Sequence, residues 1–387
     1  MKITIVTGFF LPVPPVRGGA TEKIWHRLAQ QFAAAGHEVT FISRAWPGFP
    51  DRETVAGVRH VRLRGANHTR RLFFNLVLDF FWSLRVTRAL PPGDVVLSNT
   101  VALPVWLRRV KPSAGRVVAV VARMPKGQAR FYGGVDLLLS LSAAVTAKLI
   151  AENPKLAPRI TRFPFPIDWQ LHAAASAGKL ASPAPLTIGY IGRLHPEKGL
   201  RLLLAAAARL AARTDLPPWR LELVGPSAIA AGGGGDAWLA GLRAEFAPAL
   251  GARLAFGEPE FDPAALARRY GAMDIFCYPS LAEKGETFGV AVAEAMAAGC
   301  APVVSQLACF NELVVPGQTG LVFDHTAATA ETDLAAALAR LLTDANLRRD
   351  FGARAQAHAR QFDFAEIART VLADLSRLVA SGPRDTV

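Results

Sequence analysis

The sequence predicts an α/β protein built from two Rossmann-like domains, and three observations lead to this fold class. Apolar runs of strand length alternate with longer segments that have helical spacing, which is typical of a parallel sheet covered by helices. The runs fall into two series, and a segment rich in Pro, Ala and Ser, residues 163–185, separates them. The chain has 387 residues, 51% of them hydrophobic, which is enough to fill two cores of ordinary size.

Each series of runs supplies the strands of one predicted domain. The first series is ITIVT (3–7), EVTFI (38–42), VRHVRL (58–63), DVVLS (94–98), RVVAVVA (116–122) and DLLLSLS (136–142). The second series is LTIGYIG (186–192), RLELVG (220–225), RLAFG (253–257), DIFCYP (274–279), APVVS (301–305) and GLVF (320–323). We therefore predict a first domain over residues 1–165, a hinge over 166–185 and a second domain over 186–361.

The chain after Asp324 has helical spacing to its end. Its last amphipathic stretch, FDFAEIARTVLADLSRLV, predicts a closing helix, which together with the tail covers residues 362–387. In open parallel sheets, ligands bind beyond the carboxyl ends of the strands. With two such domains, the sequence predicts that the ligand binds in a central cleft between them.

Cysteine usage and the amino-terminal segment favour a cytoplasmic protein. The three cysteines, Cys277, Cys300 and Cys309, lack the paired short spacings of a zinc site, and their odd number does not indicate a disulfide framework. The opening MKITIVTGFF has one lysine and no small-residue cleavage pattern after it, so we expect a buried first strand rather than a signal peptide. The apolar run over residues 72–84 contains Asp79 and is too short to cross a membrane.

The net charge of +13 comes from one half of the chain. Residues 1–180 contain 25 Lys and Arg against 9 Asp and Glu, whereas residues 181–387 contain 19 against 22. An arginine-rich genome would raise the charge of both halves, so the asymmetry favours an anionic partner of the first half. We expect no nucleic-acid partner.

Two glutamates in SLAEKGETFGVAVAEAMAAGCAPVVS, residues 280–305, form the first candidate site. On a helix that begins near Thr287 or Phe288, Glu286 and Glu294 would lie about 12 Å apart, which matches the distance from sugar to ribose in a nucleotide diphosphate sugar. A carboxylate at each end can accept hydrogen bonds from paired hydroxyls, while the helix N-terminus directs N–H groups at the phosphates between them. Such pairs also occur by chance in many helices, so the surrounding string carries the specificity.

The segment GYIGRLHPEKG, residues 189–199, forms the second candidate site at the end of a predicted strand. Arg193 offers a planar bidentate donor and Lys198 a point charge, where a diphosphate would need positive partners. A pair of solvated surface cations is the alternative. The turn lacks a GxGxxG fingerprint, which argues against a dinucleotide-dependent dehydrogenase.

A run of four glycines, residues 232–235, is a weaker signal. No strand directly precedes the run and no Lys-Ser/Thr follows it. We therefore predict a flexible surface loop there rather than a phosphate-binding loop.

These segments, together with NELVVPGQTGLVFD near the end, resemble those of the retaining GT-B glycosyltransferases of family 4, the glycosyl transferases group 1. The hallmark of that family is two Glu separated by seven residues. The opening PPVRGGATEKIWHRLAQQFAAAGHEVTFIS is similar to the family's acceptor-domain opening, with a Gly-Gly loop between strand and helix. The resemblance covers the whole chain and implies the GT-B fold, in which the first domain binds the acceptor and the second binds the nucleotide sugar.

The resemblance implies a role for each matching residue. Arg193 and Lys198 would hold the donor diphosphate, and Glu286 the hydroxyls of the donor sugar. Glu294 would hold the ribose hydroxyls. The candidate catalytic residues are Glu286, Arg193 and Lys198, and the candidate donor-binding residues are these three with Gly18, Gly19, Thr287, Phe288, Gly289 and Glu294.

Members of the family are similar in needing no metal and no cofactor, since the nucleotide diphosphate sugar is a substrate. Consistently, the sequence has no Asp-x-Asp pair that would hold a divalent ion on a diphosphate.

Two departures from the family pattern limit what can be transferred. The loop ARMPKGQARFYGG offers Arg123, Met124 and Lys126 where many members have a His near the reacting sugar. If the leaving phosphate itself takes the acceptor proton, the missing His need not abolish activity, and the catalytic assignment in the first domain stays open. The Asn-Gly turn that is usual at the hinge is replaced by FPFPID, so contacts of that turn are not transferred.

The resemblance implies a metal-independent, retaining glycosyltransferase that moves a sugar from a nucleotide diphosphate sugar to a saccharide, lipid-linked or small-molecule acceptor. The expected setting is cell-envelope polysaccharide or glycoconjugate synthesis. One alternative is a catalytically silent nucleotide-sugar-binding or scaffolding subunit. Others are a GT-B epimerase and a glycogen-synthase-like enzyme. Base, sugar and acceptor depend on loop shapes that no motif specifies.

Residues 59–88 leave two alternatives open for the basic half. Four arginines precede a predicted helix that carries five aromatic residues: Arg62, Arg64, Arg70 and Arg71, then Phe73, Phe74, Phe80, Phe81 and Trp82. Such a helix suits a membrane interface, which would place the protein peripherally at the inner face of an anionic membrane. Packing of the rings under the first sheet is favoured for most of them, with the arginines still facing outward.

Overall fold

The computed structural model describes residues 1–17, 19–176, 185–283 and 285–382. The chain packs as two units, one formed by Met1–Pro166 together with the segment from Phe364 onward, the other by Ile167–Asp363. The first unit therefore ends where the predicted hinge begins. Residues 177–184 of that hinge lie outside the described residues.

The first unit alternates strands and helices. Its elements are β1 (Lys2–Val6), α1 (Ala20–Ala34), β2 (Glu38–Arg44), β3 (Arg52–Val55), β4 (Val58–Leu63), α2 (Leu72–Ala89), β5 (Val95–Ser98), α3 (Leu103–Val110), β6 (Arg116–Val121), β7 (Leu137–Ser140), α4 (Ala143–Glu152) and β8 (Ile160–Arg162). The strands pair in the order β3-β4-β2-β1-β5-β6-β7-β8, in parallel except for β3 with β4. Helices cover the sheet, which explains the continuous Val, Ile and Leu runs of its central strands.

The second unit has the same plan. Its elements are α5 (Trp169–Ala175), β9 (Leu186–Ile191), α6 (Leu200–Ala211), β10 (Trp219–Val224), α7 (Asp236–Leu250), β11 (Leu254–Gly257), α8 (Pro263–Gly271), β12 (Ile275–Tyr278), α9 (Val290–Ala297), β13 (Ala301–Ser305), β14 (Leu321–Phe323), α10 (Ala330–Thr343) and α11 (Ala345–Ala359). All strands pair in parallel, in the order β11-β10-β9-β12-β13-β14.

The predicted closing helix is α12 (Phe364–Ala380), and it packs in the first unit against α1. The guanidinium of Arg27 on α1 lies 4.0 Å from the ring centroid of Phe364. This cation–π contact joins the start of α12 to the amino-terminal part of the chain.

Every strand of the two predicted series is present, with ends that differ by at most two residues. Two strands, β3 and β8, were not predicted, and they are the two edge strands of the first sheet. An edge strand is covered less completely than a central one, so these short segments lack the apolar run that identifies a buried strand.

The position of α2 corrects one expectation. Burial of its aromatic rings under the sheet is wrong for Phe73, Phe74, Phe80 and Phe81, which are 71%, 49%, 44% and 51% exposed, whereas Trp82 is buried as expected. The reason is the helical period, which directs Asn75, Asp79, Trp82, Ser83 and Val86 inward and the four phenylalanines outward.

The second correction concerns Arg62, which we expected to face outward. Arg62 is buried, and its guanidinium donates to Val13 O at 3.2 Å and to Glu53 Oε1 at 2.5 Å. It lies on β4, where the alternation of the strand turns its side chain inward. Arg64, Arg70 and Arg71 are exposed, as expected.

Among the described residues, no helix combines the length and the apolar character that are needed to cross a bilayer.

Candidate active site

The predicted donor residues of the second unit lie at one edge of its sheet. β9 ends at Ile191 and leads through Arg193 to a single 3-10 turn, Pro196–Lys198. β12 ends at Tyr278 and is followed by the loop that contains Glu286. Because β9 and β12 pair in parallel, both loops leave the sheet at its carboxyl edge.

Two glycines allow these loops to approach each other. A Cβ on Gly199 would lie 1.9 Å from Pro279 O, and one on Gly225 would lie 1.9 Å from Gly192 O. Gly199 also has a φ of +69°, which glycine adopts without strain. The loops after β9, β10 and β12 therefore meet backbone against backbone.

Lys198 and Glu286 form an ion pair at the centre of this edge. Lys198 is 5% exposed, and its Nζ donates to Glu286 Oε2 at 2.6 Å. Ser280 Oγ donates to the same oxygen at 3.1 Å, and the ring centroid of Tyr278 lies 5.6 Å from the ammonium. A buried ion pair with a further hydrogen bond holds both side chains in one orientation.

Arg193 lies beside this pair and is partly exposed. Its Nη1 donates to Gly232 O at 2.6 Å, and its Nη2 donates to Glu197 Oε1 at 2.7 Å. With both partners bound, the guanidinium group remains exposed at this edge of the sheet, where a ligand anion can compete with Glu197 for it.

The glycine run over residues 232–235 belongs to the same edge, so the expectation of a flexible surface loop is corrected. The Gly234 N–H donates to Leu194 O at 2.8 Å, and Gly233 and Gly235 are buried. A Cβ on Gly233 would lie 2.1 Å from Ser227 O. The run is glycine because the loop packs tightly, and one of its carbonyls holds Arg193.

The start of α9 is a further correction. The helix begins at Val290 rather than near Thr287 or Phe288, with Gly289 as its N-cap at a φ of +94°. A Cβ on Gly289 would lie 2.7 Å from the ring of Phe310, so packing and backbone conformation both require glycine here. Glu286 therefore lies outside the helix, and the separation of about 12 Å, which assumed helical rise, does not apply.

No side chain caps the N-terminus of α9. Its first N–H groups lack intrahelical acceptors, as in any α-helix, and an anion at this end would be stabilised by them and by the helix dipole. Phe288 is buried edge-to-face against Phe362, with centroids 5.4 Å apart, so its side chain anchors the loop. Thr287 is half-buried beside it.

Glu294 lies on α9, where one side chain donates a hydrogen bond to it and a second lies nearby. Tyr270 Oη donates to Glu294 Oε2 at 3.0 Å, and His172 Nε2 lies 3.9 Å from Oε1. Burial lowers the pKa of His172 to about 4, so this ring is neutral at pH 7.

The predicted residues of the first unit are Gly18 and Gly19. Gly18 lies outside the described residues. Gly19 is the N-cap of α1 at a φ of +96°, and a Cβ there would lie 2.3 Å from Glu22 Oε2. Burial raises the pKa of Glu22, and the charge of Arg123, from the loop that lacks the His, opposes this rise.

Among the described residues, no three His, Cys, Asp or Glu side chains lie close enough together to hold a metal ion.

Comparison with known proteins identifies the family. A sequence model of the glycosyl transferases group 1 matches residues 175–358. The chain is 28% identical over 395 residues to phosphatidyl-myo-inositol mannosyltransferase from Mycolicibacterium smegmatis, with 96% of this chain and 92% of that protein covered. Residues 175–358 therefore belong to the glycosyl transferases group 1 family.

A second relative matches over a shorter segment of the chain. It is D-inositol 3-phosphate glycosyltransferase from Stackebrandtia nassauensis, 36% identical over 194 residues, which are 48% of this chain and 40% of that protein.

Solved structures of other proteins have the same fold as this chain. Sucrose-phosphate synthase from Thermosynechococcus elongatus superposes with a TM-score of 0.76 at 23% identity, covering 98% of this chain and 100% of that one. HepE from Anabaena, in complex with UDP and glucose, superposes with a TM-score of 0.69 at 19% identity over 97% and 100%. The predicted GT-B fold is confirmed.

The side chains that orient the predicted site residues were not among those predicted from the sequence. Glu197 follows Arg193 by four residues, and Ser280 is the first residue of the segment that contains both glutamates, so local patterns could have indicated both. Tyr270 and His172 contact Glu294 from other helices, and no local pattern in the sequence connects them.

Proposed function

We propose that this group 1 glycosyltransferase transfers a sugar from a nucleotide diphosphate sugar to an acceptor at an anionic membrane surface, with retention of configuration and without a metal ion. The contact between Lys198 and Glu286 carries the donor half of the proposal. These side chains, expected at the diphosphate and at the adjoining sugar, are 88 residues apart in sequence and 2.6 Å apart in space. The structures of HepE with UDP, and with UDP and glucose, support such a donor.

In the proposed reaction, the bond between C1 of the sugar and the diphosphate oxygen breaks while the acceptor oxygen bonds to C1 on the same face. The acceptor proton passes to the leaving diphosphate, so this path needs no His in the loop that carries Arg123. Arg193, Lys198 and the N-terminus of α9 stabilise the charge that grows on the departing diphosphate. Glu286 and Glu294 orient the donor through the hydroxyls of its sugar and ribose.

The donor half is tested by a thermal-shift screen with UDP, GDP, ADP and TDP, followed by nucleotide-release assays with sugars of the nucleotide that binds. We expect one nucleotide to raise the melting temperature and its sugar donor to be hydrolysed or transferred. Binding without release, for every donor and acceptor tried, would favour the catalytically silent alternative.

The exposed phenylalanine face of α2 supports the acceptor half. Phe73 and Phe81 are more than half exposed, and the exposed Arg70 and Arg71 immediately precede the helix. Aromatic rings bordered by arginines suit the interface of an anionic membrane, where each cation contributes about 1 kcal/mol. The relatives that match over nearly the whole chain are phosphatidyl-myo-inositol mannosyltransferases, so an inositol phospholipid is the first acceptor to test.

The acceptor half is tested by sugar transfer to phosphatidylcholine vesicles with and without phosphatidylinositol. We expect labelled sugar in the lipid fraction only when phosphatidylinositol is present. Equal transfer to a soluble saccharide with and without vesicles would assign a saccharide acceptor instead.

A further inference from the structure

The first unit contains a large cavity at the edge of its sheet opposite to the carboxyl ends of the strands. Its volume is about 1040 Å³. Gly93 and Asp94 lead into β5, Gly115 leads into β6 and Asp136 leads into β7, so the cavity lies at the amino ends of these strands. Helices α3 and α12 also contribute to its walls.

Arginine dominates the lining of this cavity. Five arginines line it against two aspartates: Arg108, Arg109, Arg116, Arg130 and Arg159, with Asp94 and Asp136. A concave surface with walls of low dielectric constant concentrates the field of such charges. The cavity is therefore positively charged. It lies in the half of the chain that carries the excess of Lys and Arg over Asp and Glu.

Three of these arginines are held in defined orientations. Asp136 is buried and lies 3.3 Å from Arg116 Nη1 and 3.5 Å from Arg108 Nη1. Arg159 donates to Gly133 O at 2.8 Å and to Val135 O at 3.1 Å. Ordered guanidinium groups lose less conformational entropy when they bind an anion.

Arg109 and Arg130 differ from the other three. Both are exposed, and within the part of the chain that the structure describes neither forms an ion pair or a side-chain hydrogen bond. No carboxylate of the described residues forms an ion pair with either guanidinium group, although both line the cavity.

Two consecutive glycines, Gly133 and Gly134, lie in the wall of the cavity and border open space. A Cβ on Gly133 or Gly134 would meet no atom within 4 Å, and neither residue has a positive φ. Neither packing nor backbone conformation explains the missing side chains, in contrast to the glycines around Arg193. Small residues here keep the cavity open.

We propose that this cavity binds a small polyanion that carries two or more phosphate groups. The site is independent of the proposed donor site, because Arg193, Lys198, Glu286 and Glu294 all belong to the second unit. Soluble phosphorylated metabolites and phosphorylated lipid head groups share this chemistry.

The test is calorimetric titration of the full chain with inorganic tripolyphosphate at 0.15 M salt, where surface charges further apart than about 8 Å are largely screened. We expect the double variant R109E/R130E and the single variant G134D each to lower affinity at least tenfold. The matched control R52E/R88E makes the same charge change at exposed arginines of the same unit that do not line the cavity, and it should change affinity less than twofold.

Arg193→Ala separates this site from the donor site. We expect Arg193→Ala to leave the binding of tripolyphosphate in the cavity unchanged. If tripolyphosphate also binds at the donor site, Arg193→Ala should weaken only that second binding. Unchanged affinity in R109E/R130E, or an equal loss in R52E/R88E, would overturn the proposal. Thermal unfolding of each variant checks that it is folded.

The two sources of the anion are distinguished by sedimentation with phosphatidylcholine vesicles that contain a bisphosphorylated inositol lipid. If R109E/R130E reduces both vesicle binding and tripolyphosphate binding, the ligand is a head group. If it reduces tripolyphosphate binding alone, the ligand is a soluble phosphorylated compound.

Discussion

Side chains of the candidate donor site are paired with one another in the structure. Lys198 binds Glu286, and Arg193 binds Glu197. A bound diphosphate would replace protein carboxylates as the partner of these cations, so the site is already arranged for an anion. This exchange makes the contribution of each residue measurable by substitution.

Replacing Arg193 or Lys198 by Ala should weaken binding of the nucleoside diphosphate. Loss of one charge-assisted contact costs about 1.5 to 3 kcal/mol, which corresponds to a tenfold to hundredfold or larger increase in Kd. Calorimetry with the nucleotide selected by the thermal-shift screen measures this. Arg201→Ala is a matched control, since Arg201 is an exposed cation on α6 that pairs with Glu245. Parental affinity in either Arg193→Ala or Lys198→Ala would contradict the phosphate assignment.

The two glutamates should differ in their effects on binding and turnover. We expect Glu294→Gln to weaken binding of the bare nucleoside diphosphate, and Glu286→Gln to leave it nearly unchanged while lowering turnover of the sugar donor. The reason is the division between ribose and sugar that the family resemblance implies. Calorimetry and nucleotide release measure the two effects separately.

Tyr270→Phe supplies a control for that division. It removes the hydroxyl that donates to Glu294 and leaves both carboxylates in place. We expect Tyr270→Phe to lower the affinity for the nucleoside diphosphate less than Glu294→Gln does. Turnover of the sugar donor and nucleotide affinity should fall by the same factor. Equal losses of bare-nucleotide affinity in Glu286→Gln and Glu294→Gln would refute the division.

At the scale of the element, α2 is unusual because its two faces have separate tasks. The inner face holds the fold together: Trp82 Nε1 donates to Thr7 O at 3.0 Å, and Asp79 Oδ2 accepts from Val101 N at 3.1 Å and Ala102 N at 2.8 Å. The outer face carries four phenylalanines that are 44% to 71% exposed. Large exposed apolar patches of this kind usually mark an interaction surface.

Substitutions on the outer face should weaken membrane binding without unfolding the protein. We expect the parent to sediment with anionic vesicles at low salt and much less at high salt, because surface charges are screened. Replacing Arg70 and Arg71 by Glu should reduce this binding and spare hydrolysis of the donor in solution. Replacing Phe73 and Phe81 by Ser should reduce it at both salt concentrations, because these side chains contribute apolar area.

R52E/R88E also serves as the charge-matched control for vesicle binding. Arg88 lies in the last turn of α2, away from Arg70 and Arg71 at its start. Equal sedimentation with neutral and anionic vesicles, or full binding by both outer-face variants, would mean that the charge asymmetry serves another partner.

At the scale of the whole molecule, stability should fall as the pH drops from 7 to 4.5. Burial lowers the pKa of His60 and of His172 to about 4, so the unfolded state binds more protons between pH 6.5 and 4, and both residues destabilise the fold there. Asp79 opposes them, because burial raises its pKa to about 6 and the folded state then retains its proton. Because the three pKa shifts are similar in size, the two histidines together destabilise the fold more than Asp79 stabilises it.

Thermal unfolding of His60→Phe at both pH values measures the contribution of one histidine. The ring of His60 lies nearly parallel to that of Phe41, with centroids 5.8 Å apart, so a phenyl ring fits the same layer. We expect a smaller fall in melting temperature than in the parent, since about 3 kcal/mol at most depends on this proton. An identical fall in both proteins would be inconsistent with His60 as the source.

Activity should persist in excess EDTA. Arg193, Lys198 and the N-terminus of α9 supply positive charge to the diphosphate, which is the task that a divalent ion performs in other enzymes. Nucleotide release measured with and without EDTA tests this. Complete loss that added Mg²⁺ or Mn²⁺ restores would refute it.

Much of the fold was predictable because central parallel strands are buried on both faces and form continuous apolar runs. Edge strands β3 and β8 lack that signal. The donor motifs were predictable because the residues of each motif lie close together in the sequence, beginning in a loop at the carboxyl end of a strand. The start of α9 was not, because packing of Gly289 against Phe310 decides it.

The sequence by itself therefore determined the two α/β units, the family and the residues expected at the donor. Only the tertiary structure decided the contact between Lys198 and Glu286, the packing of the glycine run beside Arg193, the outward face of α2 and the arginine-lined cavity. Each of these depends on residues that are distant in the chain. Local propensity and periodicity describe neighbours along the backbone, whereas burial and side-chain pairing are set by elements that meet only in the folded state.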